Sequence, residues 1–127
     1  MRWITFSIFL AFVTSAFSQE PYLFVGTYTN GKSKGIYVYR FNTATGTGTE
    51  ISTIKADNPS YLAIGPDGKH LYSANESDHG NASVGAYAFD PETGQVRLLN
   101  IQSSQGKSTC YVTIDKTGKW VFVANYS

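Results

Sequence analysis

Short apolar runs separated by glycine-bearing turns organise this chain. Tyr61 to Ile64 is one such run, and Pro66-Asp67-Gly68 follows it as a tight turn, with glycine where a positive φ is wanted. Lys69 to Asn75 predicts a second strand. Val84 to Phe89, alternating with small residues, predicts a third. Asp90-Pro91-Glu92-Thr93-Gly94 reads as another hairpin turn, and Gln95 to Gln102 as the fourth strand. No window sustains a helical period, and β-branched and aromatic residues fill the runs. The pattern predicts an all-β, antiparallel protein.

The unit recurs. Asn58 to Glu76 aligns with Ser108 to Tyr126 at a spacing of about 50 residues, with Tyr61/Tyr111, Ile64/Ile114, Gly68/Gly118, Lys69/Lys119, Ala74/Ala124 and Asn75/Asn125 identical. Upstream, Tyr22 to Tyr28 has the shape of His70 to Glu76, and Tyr39 to Gly46 that of Tyr87 to Gly94, both about 48 residues apart. Four antiparallel strands per repeat of this length describe the blade of a β-propeller. A small β-sandwich would also suit the length, but it does not account for the common phase of the repeats.

The first residues follow another pattern. Met1-Arg2 supplies a positive charge, Trp3 to Phe12 is mostly apolar, and Ala16 and Ser18 place small residues where a signal peptidase needs them. Residues 1–18 are therefore expected to be a signal peptide that exports the chain, with residues 19–127 forming the folded domain and no membrane span left after cleavage. The apolar run falls short of the roughly 20 residues that a spanning helix requires. Two N-x-S sequons, at Asn75 and Asn81, would matter only in a glycosylating host.

Composition then removes some classes of function. Ten basic residues against nine acidic ones leave no electrostatic footprint for nucleic acid. A single Cys excludes an internal disulfide, and no Cys/His spacing suggests zinc.

Blade geometry indicates where chemistry would sit. The first strand of each blade lines a central channel, so the turns at Pro66 to Gly68, Asp90 to Gly94 and Lys116 to Gly118 fall on one face. The opposite face collects Tyr28 to Lys34, Asn58 to Tyr61, Glu76 to Asn81, Gly106 to Tyr111 and Asn125 to Ser127. That face is where a ligand is expected.

The motifs Val25-Gly26-Thr27-Tyr28-Thr29, Ser33-Lys34-Gly35-Ile36-Tyr37, Asn58-Pro59-Ser60-Tyr61-Leu62, Pro66-Asp67-Gly68-Lys69, Asn75-Glu76 and Val123-Ala124-Asn125-Tyr126 occur in order across residues 22–127. Together they resemble the N-terminal part of the 6-phosphogluconolactonase family of seven-bladed propellers, which also includes carboxy-muconate cyclases. The resemblance implies about two four-stranded blades of such a fold, the beginning of a longer protein. It implies hydrolysis of a sugar-acid lactone, 6-phosphogluconolactone to 6-phosphogluconate, with no cofactor and no metal. Export fits that cytosolic substrate poorly, so an exported member acting on a different lactone or sugar acid is the alternative expectation. Family members carry Pro-Cys-His where this chain has Thr109-Cys110-Tyr111, and the resemblance puts the catalytic His and Arg in blades beyond Ser127.

Lactone hydrolysis needs a base to activate water and donors or cations to hold the oxyanion. Glu76 is the candidate base. It ends a strand at the channel mouth and matches the family's Asn-Glu pair, although a carboxylate there can equally close hydrogen bonds to loop amides. Lys34 and Lys107 are candidate anion contacts, His79 a candidate proton carrier or substrate contact, and Tyr111 a candidate wall for a sugar ring. Cys110, with no neighbouring base, is expected to be a buried and inert thiol. Asn75 and Asn125 are expected to tie one blade to the next. A non-catalytic propeller that binds a ligand on the same face, or a truncated product without activity, are the competing readings.

Overall fold

The computed structural model describes residues 19–77 and 81–127. The expected signal peptide at residues 1–18 and the candidate His79 lie outside the described residues. Nine strands are described: β1 (Tyr22–Gly26), β2 (Gly35–Asn42), β3 (Thr47–Lys55), β4 (Pro59–Ile64), β5 (His70–Asn75), β6 (Ser83–Phe89), β7 (Val96–Ser103), β8 (Thr109–Ile114) and β9 (Val121–Asn125), with no helix among the described residues. They form three antiparallel sheets in the orders β1-β2-β3, β4-β5-β6-β7 and β8-β9. The expected two blades are thus one complete four-stranded blade between a three-stranded and a two-stranded sheet. The fold is a partial all-β propeller.

The repeat reaches down to backbone irregularities. The β2–β3 ladder slips between Val38 and Tyr39, and the β6–β7 ladder slips between Ala86 and Tyr87, the equivalent place. Likewise β4 slips between Pro59 and Tyr61, and β8 between Thr109 and Tyr111. Each bulge adds one residue and turns the side chains beyond it. That extra residue is Ser60 in β4 and Cys110 in β8. Its position in the bulge of an inner strand leaves Cys110 exposed, which corrects the expectation of a buried thiol.

The first and second sheets pack face to face. Ile36, Ala56, Leu71 and Tyr87 form the buried cluster, and Phe24, Ile54, Leu62 and Val96 close around it. Phe89 stands edge-on to both Tyr22 and Phe24, with centroids 4.9 Å away in each case. Such pairs add about 0.5–1.5 kcal/mol each beyond their buried area. Two polar stitches cross the same boundary: the Tyr22 hydroxyl donates to Pro91 O at 3.2 Å, and Ser52 Oγ donates to Gly94 O at 2.7 Å. At Gly26 a Cβ would lie 2.0 Å from Pro59 O, so glycine is what lets β1 approach β4.

The turn face is held by aspartates. Asp67 Oδ1 accepts the Lys69 and His70 amides, and its Oδ2 meets His70 Nδ1 at 2.6 Å. In the equivalent β8–β9 turn the acid moves to the first position. There Asp115 Oδ1 accepts the Lys119 and Trp120 amides at 2.9 Å, while Oδ2 accepts the Thr117 amide and hydroxyl. Both turns then place glycine at positive φ, 66° at Gly68 and 70° at Gly118.

Asn75 is buried, with 3% of its surface exposed, so folding closes this sequon to a glycosylating enzyme. Its side chain stays within its own sheet, bonded to Ser73 and Ser83. The expected tie between blades is absent at Asn75. It is made by Asn125, whose Nδ2 donates to Ser104 O at 3.0 Å, and by Asn58, whose Oδ1 accepts the Thr29 amide at 2.7 Å.

Candidate functional site

Antiparallel connectivity brings the β1–β2, β3–β4, β5–β6 and β7–β8 connections to one end, opposite the aspartate turns. The expected division into two faces is therefore a property of the topology. The candidates Glu76, Lys34 and Lys107 sit on or beside these connections.

Glu76 follows directly on β5. Its amide donates to Asn58 O at 3.0 Å, its carbonyl accepts from Asn58 Nδ2 at 3.3 Å, and its Oε2 accepts the Tyr28 hydroxyl at 2.7 Å. Tyr28 and Glu76 occupy equivalent places in adjacent repeats, so the bond runs from one sheet to the next. Among the described residues, the Tyr28 hydroxyl is the group bonded to this carboxylate.

Asn58 organises this corner. It adopts φ of 41°, a left-handed conformation that asparagine tolerates better than most residues. In that conformation its Oδ1 accepts the Thr29 amide at 2.7 Å and the Thr29 hydroxyl at 3.1 Å, while its Nδ2 faces Glu76. Ser108, the equivalent residue of the next repeat, shares the positive φ at 50°, and its carbonyl accepts the Tyr126 amide at 3.1 Å. Sequence reasoning placed Asn58 on this face without assigning it the role of a strut. Its signal was there: an Asn directly before a Pro at the entry to a repeat.

Tyr111 lies on the inner strand of its sheet and contacts Tyr61, its counterpart on β4, with centroids 4.7 Å apart and planes tilted by 51°. More than 40% of the surface of each residue is exposed. Lys107 is exposed in the β7–β8 connection, its amide bonded to Ser127 O. Lys34 opens onto a different feature, a cleft of about 640 Å³ that it shares with Lys55 and Asp57. The structure thus joins Glu76 to Tyr28 and Tyr111 to Tyr61, and assigns Lys34 to a separate cleft nearer the outer strands. Lys55 and Asp57 were not singled out from sequence, because one ends a strand and the other precedes an Asn-Pro turn.

The clearest charge perturbations lie on the other face. Hydrogen bonds from Thr117 and the Trp120 amide hold the Asp115 carboxyl down at about 2, and the Lys69 amide and the Thr93 hydroxyl lower Asp67 and Asp90 respectively. These are exposed turn locks, each carboxylate engaged by amides and hydroxyls of its own turn. Perturbed acidity here marks structure and not catalysis.

Residues 22–127 match the family model described as "Lactonase, 7-bladed beta-propeller". The chain belongs to this lactonase family. The chain is 37% identical to the 6-phosphogluconolactonase of Formosa agariphila over 110 residues, covering 83% of this chain and 31% of that protein. It is 38% identical to the 6-phosphogluconolactonase of Bacillus subtilis over 104 residues, or 30% of that protein. Among solved structures, one from Bacteroides fragilis superposes with a TM-score of 0.82 at 47% identity, covering 89% of this chain and 31% of the other. The periplasmic gluconolactonase of Pseudomonas aeruginosa superposes with a TM-score of 0.76 at 35% identity, over 82% of this chain and 30% of that one. The chain therefore spans less than a third of the length of these relatives.

Proposed function

We propose that this chain is part of an exported hydrolase that opens the ring ester of a sugar-acid lactone, with Glu76 as the general base. The observation that carries the reading is Glu76 itself. It stands at a strand end on the connection face, with its backbone fixed by Asn58 and one carboxylate oxygen held by Tyr28, in a chain of the lactonase family. In this mechanism the other oxygen takes a proton from water as the water attacks the lactone carbonyl. The proton then passes to the ring oxygen as the C–O bond breaks, leaving the open hydroxy acid. The exposed Tyr61 and Tyr111 rings supply an apolar wall for the sugar ring, and Lys107 a cation near the connection face. The resemblance assigns the remaining His and Arg to later blades.

The amino-terminal pattern of residues 1–18 supports export, and so does the periplasmic gluconolactonase of Pseudomonas aeruginosa among the relatives. An unphosphorylated aldonolactone fits that location better than a phosphorylated one. A second reading, ligand binding without turnover, is favoured by Tyr111 standing where family members carry His.

The test is hydrolysis of glucono-1,5-lactone by the full-length protein, followed by proton release and corrected for spontaneous opening. Glu76→Gln is expected to lower kcat by a factor of about 10²–10⁴. Unchanged turnover in this variant removes Glu76 from the mechanism, and no turnover with bound lactone favours the second reading.

A further inference from the structure

The cleft that holds Lys34 is separate from the Glu76 corner and lies between two sheets that are packed against each other. Lys34 and Thr29 come from the β1–β2 connection, Lys55 and Thr53 from the end of β3, Asp57 from the β3–β4 connection, and Ile101 from β7 across the boundary. Its volume of about 640 Å³ falls within the range of small-molecule sites. Ala56 is the one cleft-lining residue that belongs to the buried cluster, so the cleft adjoins the packed boundary between the two sheets.

Its charges are arranged for a ligand. Among the described residues the one ion pair is Asp67 with His70, on the far face, so neither Lys34 nor Lys55 is neutralised by a carboxylate. The two acids nearest the cleft are engaged by hydroxyls instead. Asp57 Oδ1 accepts from Thr29 Oγ1 at 3.3 Å, and Glu50 Oε1 accepts from Thr53 Oγ1 at 2.7 Å. Two cations, a carboxylate with a free oxygen and the half-exposed Ile101 complement a molecule bearing an oxyanion, several hydroxyls and a C–H face.

We propose that this cleft binds a small polyhydroxylated acid anion, with Lys34 and Lys55 on the oxyanion and Asp57 accepting its hydroxyls. Such a site is distinct from the Glu76 corner and binds whether or not that corner hydrolyses lactones. The two are nonetheless joined through Asn58, which bonds to Thr29 on the cleft side and to the Glu76 backbone on the other.

The experiment is a titration of the full chain with D-gluconate, inorganic phosphate and sorbitol, read from the amide resonances of Thr29, Thr53 and Ala56. Gluconate is expected to bind in the millimolar range, phosphate more weakly and sorbitol not at all. Added salt should weaken gluconate binding, because exposed lysines are screened. Lys34→Gln and Lys55→Gln should each weaken it about three- to fivefold, the scale of an exposed ion pair. Asp57→Asn should weaken gluconate and leave phosphate unchanged. Equal binding of sorbitol and gluconate overturns the role of the lysines. Equal binding of phosphate and gluconate with indifference to Asp57→Asn overturns the polyhydroxy acid. Shifts confined to Tyr28 and Glu76, or no shifts, overturn the site altogether. Global loss of dispersion in a variant is checked against Lys32→Gln, which leaves the cleft lining intact.

Discussion

The two spaces between the three sheets are built from the same repeat and end in different states. Between the first and second sheets, Ile36, Val38 and Leu71 are fully buried. Between the second and third, the equivalents of those residues are Val84, Ala86 and Val121, and Val121 is 40% exposed. A groove of about 480 Å³ runs there, lined by Tyr72, Val84, Ala86, Leu99, Val121 and Val123 among others. The second sheet contributes β6 and β7, whose Tyr87, Phe89 and Val96 fill the first space. Within residues 19–127 the third sheet comprises β8 and β9, and no counterparts of Tyr87, Phe89 and Val96 are described for the second space. An apolar residue at a repeat position is therefore not yet a core residue. Burial depends on the neighbouring sheet as much as on the strand itself.

The most forceful way to break this comparison is to truncate equivalent residues in the two spaces. Leu71→Ala is expected to cost about 2–5 kcal/mol, whereas Val121→Ala should stay within about 0.5 kcal/mol. Urea denaturation of both variants measures the difference, and equal losses would mean that the second space is as well packed as the first. Next in size, Gly26→Ala should destabilise by about 1–3 kcal/mol, because its Cβ meets the Pro59 carbonyl and backbone must move. Ala at the equivalent Ala74 and Ala124 already shows that the clash belongs to one junction and not to the repeat. Asn58→Ala should follow, at about 1–2 kcal/mol, through loss of the bonds to Thr29 and Glu76. Thermal melting detects it, and line broadening at Thr29 and Glu76 distinguishes a lost strut from a general loss of stability.

The smallest effect is electrostatic and lies in the β8–β9 turn. The folded Asp115 carboxyl titrates at about 2, below its ordinary value of 3.8, so the unfolded chain binds more protons between those values. Its contribution to stability is present above about pH 4 and is lost as the pH falls towards 2. A carboxyl-carbon NMR titration should place the midpoint near 2, and Asp115→Asn should remove the acid-induced shifts at Thr117 and Trp120. A midpoint near 4 would mean that the turn amides do not hold the carboxylate.

Much of the fold was legible in residue pattern. Runs at Tyr61 to Ile64, Lys69 to Asn75, Val84 to Phe89 and Gln95 to Gln102 became strands with boundaries displaced by one or two residues. Local turn chemistry and side-chain alternation are short-range, so they can be read along the chain. Less of the candidate site was legible. Glu76 could be placed at a strand end, but its Tyr28 partner comes from the preceding repeat, and the Lys34–Lys55–Asp57 cleft is assembled from three segments. Cys110 was misjudged because its burial was inferred from the usual fate of a lone thiol with no neighbouring base, whereas a one-residue bulge in β8 makes it the extra, exposed residue.

Taken alone, the sequence determined the strand content, the repeat, the turn face and the family, since each depends on residues close together or on a recurring order. Tertiary structure decided which apolar residues became core, which carboxylate met which hydroxyl, and where two lysines were left without an acid. Those outcomes depend on contacts between sheets, and the energy of a buried side chain or an unpaired charge is set by what packs against it.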